Sequence, residues 1–139
     1  MGCPNHFMST VILSSLETKA FQAHLEKLRK AYYQRCLVAI SELRKFPKCQ
    51  FVEPEGGYFI WIKLDLKDGL DTTKILGVLK GDTEIDGIAK ERVSFTPGNL
   101  CSSNGSHGKY LRISFAMYDK EDLQLGIQRL VRVFESVCN

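Results

Sequence analysis

The chain has 139 residues, 44% hydrophobic and 25% charged, the balance of one globular domain able to bury a core without staples. Nineteen Lys and Arg against sixteen Asp and Glu leave a net charge of +3, too small and too dispersed for a nucleic-acid or membrane-surface footprint. The longest strongly apolar run is Tyr58–Ile62, and no basic residue precedes the Phe7–Leu13 stretch, so neither a membrane span, of roughly 20 residues, nor a signal peptide is expected.

From Lys19 the chain reads as a long helix, with Phe21, Leu25, Leu28, Tyr32, Ala39, Ile40 and Leu43 recurring at three- and four-residue intervals. Pro47 is its stop, because the residue before a proline is driven out of the α region. His6–Glu17 reads as a shorter helix that continues into it or kinks beside it. A β-hairpin follows: Gln50–Val52 and Tyr58–Leu64 flank the turn-forming Glu53-Pro54-Glu55-Gly56-Gly57. In its second strand Ile60, Ile62 and Leu64 share a face with Tyr58, and Phe59, Trp61 and Lys63 take the other. Both faces are apolar, so this strand calls for cover on two sides.

Asp71 is the N-cap expected for a helix through Leu79. Gly81–Glu91 reads as irregular chain or a short helix around Ile85–Lys90. Val93–Thr96 reads as a strand entering the Pro97-Gly98 turn, and Ser102–Gly108 as a loop. Tyr110–Ala116 is a strand with Leu111, Ile113 and Phe115 on one face and Tyr110, Arg112 and Ser114 on the other. Asp119 caps a last helix, whose buried stripe is Leu123, Ile127, Leu130, Val131 and Phe134. Helix, hairpin, helix, two strands and helix add up to an α+β fold: two layers, with a small, largely antiparallel sheet covered by helices on one face.

Five cysteines, at 3, 36, 49, 101 and 138, and three histidines, at 6, 24 and 107, are scattered, which supplies neither a metal ligand set nor a disulfide framework. Reduced thiols packed as small hydrophobes are expected. His24 sits on the long helix and faces solvent or pairs locally. Ser106-His107-Gly108-Lys109 has a Ser-x-x-Lys spacing, but a nucleophilic lysine needs burial or a nearby cation, which a polar loop does not provide. A small hydrolase would require one of the histidines to meet a Cys or Ser nucleophile in the fold.

Arg112 stands out, in mid-strand on the face turned away from the apolar row. A guanidinium held by a rigid strand is a fork for a carboxylate; on local chemistry alone it could equally be a solvated surface group. Pro97-Gly98-Asn99 and Gly56-Gly57 read as turns first and as close-approach sites for a ligand second.

Four motifs in order carry more than any of them singly: Glu55-Gly56-Gly57-Tyr58-Phe59-Ile60-Trp61; Val93-Ser94-Phe95-Thr96-Pro97-Gly98; Tyr110-Leu111-Arg112-Ile113-Ser114-Phe115-Ala116; and Glu121 through Gly126-Ile127-Gln128-Arg129-Leu130. Together they resemble the C-terminal small domain of class I pyridoxal-phosphate-dependent aminotransferases, in the 2-aminoadipate or broad-specificity branch of fold type I. Asn5-His6-Phe7 and the helix after it resemble the stretch linking the large domain to the small one. The resemblance implies a linker over residues 1–18 and a small domain over 19–139. It implies that Arg112 grips the α-carboxylate of an amino acid or 2-oxo acid. It also implies that the Schiff-base lysine, the partner of the pyridine nitrogen and most phosphate-binding groups belong to a large domain outside this chain. No catalytic, cofactor-binding or metal-binding residue is then expected here, and this chain alone should be inactive. The parent would be a homodimeric, cytoplasmic enzyme (a mitochondrial one if an upstream leader exists) that transfers an amino group between an amino acid and a 2-oxo acid. The alternative is a non-catalytic binding or interaction module derived from the same domain, using the face that carries Phe59 and Trp61.

Overall fold

Alternation along the hairpin decides the architecture. Ile60, Ile62 and Leu64 are sealed from solvent, whereas Phe59, Trp61 and Lys63 are exposed. The computed structural model describes residues 5–138, in the order α1 (His6–Leu16), α2 (Lys19–Leu43), β1 (Cys49–Phe51), β2 (Phe59–Leu64), α3 (Thr72–Lys80), β3 (Thr96–Pro97), a 3₁₀ turn (Gly98–Cys101), β4 (Tyr110–Ser114) and α4 (Lys120–Val137). These residues fall into two compact units, one running to Tyr33 and the other starting at Gln34.

In the first unit, the Asn5 side chain accepts a hydrogen bond from the Met8 amide and so caps α1. A turn at Glu17-Thr18, closed by the Thr18 amide on Ser15 O, separates α1 from α2. No residue of α1 is buried, and Phe7, Met8, Val11, Ile12, Leu13 and Leu16 are all exposed. Among the described residues no helix is long and apolar enough to cross a membrane.

The second unit holds an antiparallel sheet ordered β1-β2-β4-β3. Its inner row, Ile60, Ile62, Leu64, Leu111 and Ile113, is buried together with Ala39, Ile40 and Leu43 of α2, Ile75, Leu76 and Val78 of α3, and Leu123, Ile127, Leu130 and Phe134 of α4. This is the expected two-layer α+β arrangement. Asp71 caps α3 through the Lys74 amide, Gly81 closes it in a left-handed conformation at φ 81°, and Asp119 caps α4.

Several boundaries differ from expectation. The first hairpin strand is Cys49–Phe51 and not Gln50–Val52, since Val52 is left 86% exposed beyond the ladder. The long helix ends at Leu43, ahead of Pro47; a run of turns then carries Phe46 into the core. Within α4 the buried valines are Val133 and Val137, and Val131 is only half-buried. No helix forms at Ile85–Lys90, where Gly87 at φ 83° breaks the turn. The strand expected over Val93–Thr96 shrinks to two ladder pairs, Thr96↔Arg112 and Pro97↔Leu111. Pro97 has no N–H to extend the ladder. Upstream, Arg132 Nε donates to Glu91 at 2.5 Å and the Ala89 amide donates to Ser136 Oγ at 3.0 Å, which ties the segment to α4.

One buried carboxylate joins the helical layer. Glu42, 4% exposed, accepts from Lys45 Nζ at 2.7 Å, Gln124 Nε2 at 2.8 Å and Gln128 Nε2 at 3.3 Å. The hydrogen bond from Lys45, reinforced by the two amides, outweighs desolvation and holds the carboxyl below the ordinary glutamate value. A depressed folded-state value stabilises the fold above the unfolded-state value, near 4.5, and that contribution disappears as pH falls through the folded one. Glu42→Gln should therefore cost about 1–2 kcal/mol at pH 7, with the deficit shrinking below pH 4.5. Urea midpoints of both proteins at pH 7 and at pH about 3.5 check this.

Candidate functional site

The face of the sheet turned away from the helices carries the candidate site. The pairing of β2 with β4 sets Phe59 opposite Ser114, Trp61 opposite Arg112 and Lys63 opposite Tyr110. Trp61 and Tyr110 stack with ring centroids 5.6 Å apart, and His107 meets both edge-on, at 6.0 and 5.1 Å. Lys63 Nζ lies 5.9 Å from the Tyr110 ring centroid. Arg112 Cζ lies 4.1 Å from the Phe59 ring centroid.

Arg112 is thus outside the helix layer, half-buried among aromatic rings. Among the described residues no carboxylate lies within ion-pair distance of it, and its Nε is buried without a hydrogen-bond partner. Among the described residues the Nη groups have no acceptor either, and they are not sealed from solvent as Nε is. A cation with an open edge, apolar walls and no internal counter-ion is suited to taking up an anion from solution.

The loop beside this face is fixed through its backbone. Thr72 Oγ1 donates to Tyr110 O and the Thr72 amide to Gly108 O, each at 2.8 Å, which ties the start of α3 to the entry of β4. A Cβ at Gly98 would fall 2.5 Å from His107 O and 2.7 Å from Tyr110 O, so this glycine is needed for backbone packing. The Asn99 side chain is engaged with the Thr73 hydroxyl. Gly57, at φ 75° in open space, serves the hairpin turn.

The Ser-x-x-Lys stretch has a different outcome. Ser106 Oγ lies 2.6 Å from His107 Nδ1 and 2.9 Å from Ser102 Oγ. Histidine and hydroxyl do meet, but in an exposed loop where, among the described residues, no carboxylate hydrogen-bonds the imidazole, so the relay of a hydrolase is incomplete. Lys109 is exposed, as is every other lysine whose side chain is described. Of the thiols, Cys36, Cys49 and Cys138 are buried and Cys101 is exposed; burial pushes Cys138 up to about 11.

A cleft of about 720 Å³ lies elsewhere, among the end of α3, residues 92–94, Ile113 and Ser114 of β4, and α4. It opens where Val93 and Ser94 leave the strand edge, and Arg112 does not line it.

Sequence reasoning found Arg112, Phe59 and Trp61 but missed Tyr110 and His107 as members of the site. Alternation put Tyr110 on the right face. The register that stacks it on Trp61 joins segments almost fifty residues apart.

No protein-family model matches the chain. It is 28% identical over 132 residues to the 2-aminoadipate transaminase of Thermus thermophilus, a match covering 94% of this chain and 30% of that protein. The crystal structure of α-aminoadipate aminotransferase from Thermus thermophilus, complexed with N-(5'-phosphopyridoxyl)-L-leucine, has a TM-score of 0.71 at 25% identity over 88% of this chain and 29% of that one. Relatives and structural neighbours thus include class I pyridoxal-phosphate aminotransferases, and the chain has the α+β fold of their small domain. A further relative, 26% identical over 129 residues, 91% of this chain and 26% of that protein, is the HTH-type transcriptional regulator NorG of Staphylococcus aureus. The chain spans about a third or less of the length of the relatives it matches.

Trp61 is the chain's one tryptophan and sits opposite Arg112, so its emission reports the potential of this face. The ratio of iodide to caesium quenching at low ionic strength should exceed that of free N-acetyltryptophanamide, and Arg112→Ala should bring it toward that reference. A wild-type ratio equal to that of the free indole would contradict an electropositive face.

Proposed function

We propose that this chain is the C-terminal small domain of a pyridoxal-phosphate-dependent aminotransferase, with residues 1–18 as linker and 19–139 as the domain. In this reading Arg112 binds the α-carboxylate of the amino acid and 2-oxo acid between which the parent moves an amino group. The observation that carries it is the half-buried guanidinium with an open Nη edge and no acidic partner among the described residues. Two parallel charge-assisted hydrogen bonds to a planar carboxylate complete such a fork. Its contribution is positional: fixing the carboxylate fixes the direction of the Cα–H bond, while bond-making belongs to other groups.

The residues present do not fit covalent attachment of the cofactor. A lysine that holds an aldehyde needs a desolvated amine, and every lysine side chain described is exposed. No step through the cofactor is assigned to this chain. The parent enzyme would hold the cofactor with its large domain and act as a cytoplasmic homodimer.

A second reading, a binding module without catalysis, draws support from the regulator matched over the same segment. The two part at the polypeptide preceding this segment: a Ser-x-x-Lys-bearing large domain supports the enzyme, and its absence the module.

Two measurements test the proposal. Titrated with 2-oxobutyrate, the amide and indole signals of β2 and β4 should shift and saturate with a Kd on the order of millimolar, about −4 kcal/mol. Arg112→Ala should abolish the response; a response that survives the substitution removes Arg112 from the site. Pyridoxal phosphate followed by borohydride should leave only sub-stoichiometric label scattered over surface lysines, and a stoichiometric adduct at one lysine would show that this chain holds the cofactor after all.

A further inference from the structure

Arg112 is the cation of the outer face, but its geometry is set by a neighbour. Phe59 lies opposite Ser114, one diagonal step along β4 from Arg112, the spacing at which long and aromatic side chains on adjacent strands still touch. The guanidinium carbon sits 4.1 Å from the ring centroid, within the range of a cation–π attraction. We propose that Phe59 is a positioning residue: its ring is the platform that holds Arg112 with Nε turned inward and the two Nη groups presented outward as the edge that meets a carboxylate. This rests on the reading of Arg112 as a carboxylate fork and adds how the fork is aimed.

Two observations support the platform. Nε is buried with no acceptor, a condition that is unfavourable unless another attraction holds the group in place; the negative face of an aromatic ring supplies one. With Nε sealed, a carboxylate can reach Arg112 only end-on, through both Nη groups, and the side-on mode using Nε is closed. Arginine also carries large rotamer freedom when unsupported, so a ring beneath it removes disorder that the ligand would otherwise have to remove on binding. Trp61, directly opposite Arg112, is stacked on Tyr110, which leaves Phe59 as the ring beneath the cation.

The platform is tested by Phe59→Leu, which keeps an apolar side chain at a position 37% exposed, with Phe59→Tyr as the conservative partner. The Arg112 Nε–H signal of the wild type should be shifted by the ring current and slow to exchange with water. Phe59→Leu should return it to the shift and exchange of a free arginine, and Phe59→Tyr should retain the wild-type signature. The Kd for 2-oxobutyrate should weaken about 3- to 10-fold in Phe59→Leu and stay within about twofold of wild type in Phe59→Tyr. Dispersed amide spectra of both variants establish that each is folded. If Arg112→Ala abolishes binding but Phe59→Leu binds as the wild type does, the fork stands and the platform is overturned. If the wild type and Arg112→Ala respond alike, the carboxylate reading fails and the platform fails with it.

Discussion

The pairing of β2 with β4 places Trp61 opposite Arg112, and everything distinctive about the domain depends on that register. Side chains alternate along a strand, so a slip of one residue would turn Ile60, Ile62, Leu111 and Ile113 toward solvent and drive Arg112 into the helical layer. Burial of the inner row specifies the register strongly, because those four residues are all within 6% of full burial. The outer face is therefore determined by the core: an arginine and four rings are assembled where they are because the opposite row must be dry.

How far this was legible in the sequence depends on the range of the interaction. Alternation in Phe59–Leu64 and Tyr110–Ser114, the Asp71 and Asp119 caps and the apolar stripe of α4 are local patterns, and they are read without knowing what pairs with what. The collapse of Val93–Thr96 to two ladder pairs was not legible, since it depends on Arg132 and Ser136 of α4 drawing residues 89–91 aside. Likewise the Trp61–Tyr110 stack and the seat of Arg112 on Phe59 require a register between segments far apart in the chain. The arginine could be named from its face; its ring could not.

Fold and chemistry separate cleanly in this domain. The same segment matches a transaminase and a transcriptional regulator at 28% and 26% identity, so its architecture serves proteins of different description, and function must be argued from the site. Cations and rings lie together on the outer face, the described lysines are exposed, and among the described residues no carboxylate hydrogen-bonds the histidine of the serine–histidine pair at 106–107.

The surroundings of Arg112 differ from those of the paired charges in the fold. An arginine intended for a structural ion pair would find its carboxylate within the fold, as Glu42 finds Lys45 and as Glu91 finds Arg132. Among the described residues Arg112 has an aromatic neighbour and no acid within ion-pair distance. In the proposed reading that ring orients the cation without neutralising it, so the full charge stays available at the Nη edge, with low-dielectric rings around it to strengthen any anion contact. A counter-ion supplied internally would have given the same rigidity and removed the affinity. Holding a charge still while leaving it unsatisfied is what a carboxylate-binding site requires, and on the proposed reading the diagonal Phe59–Arg112 pair would supply both with two side chains.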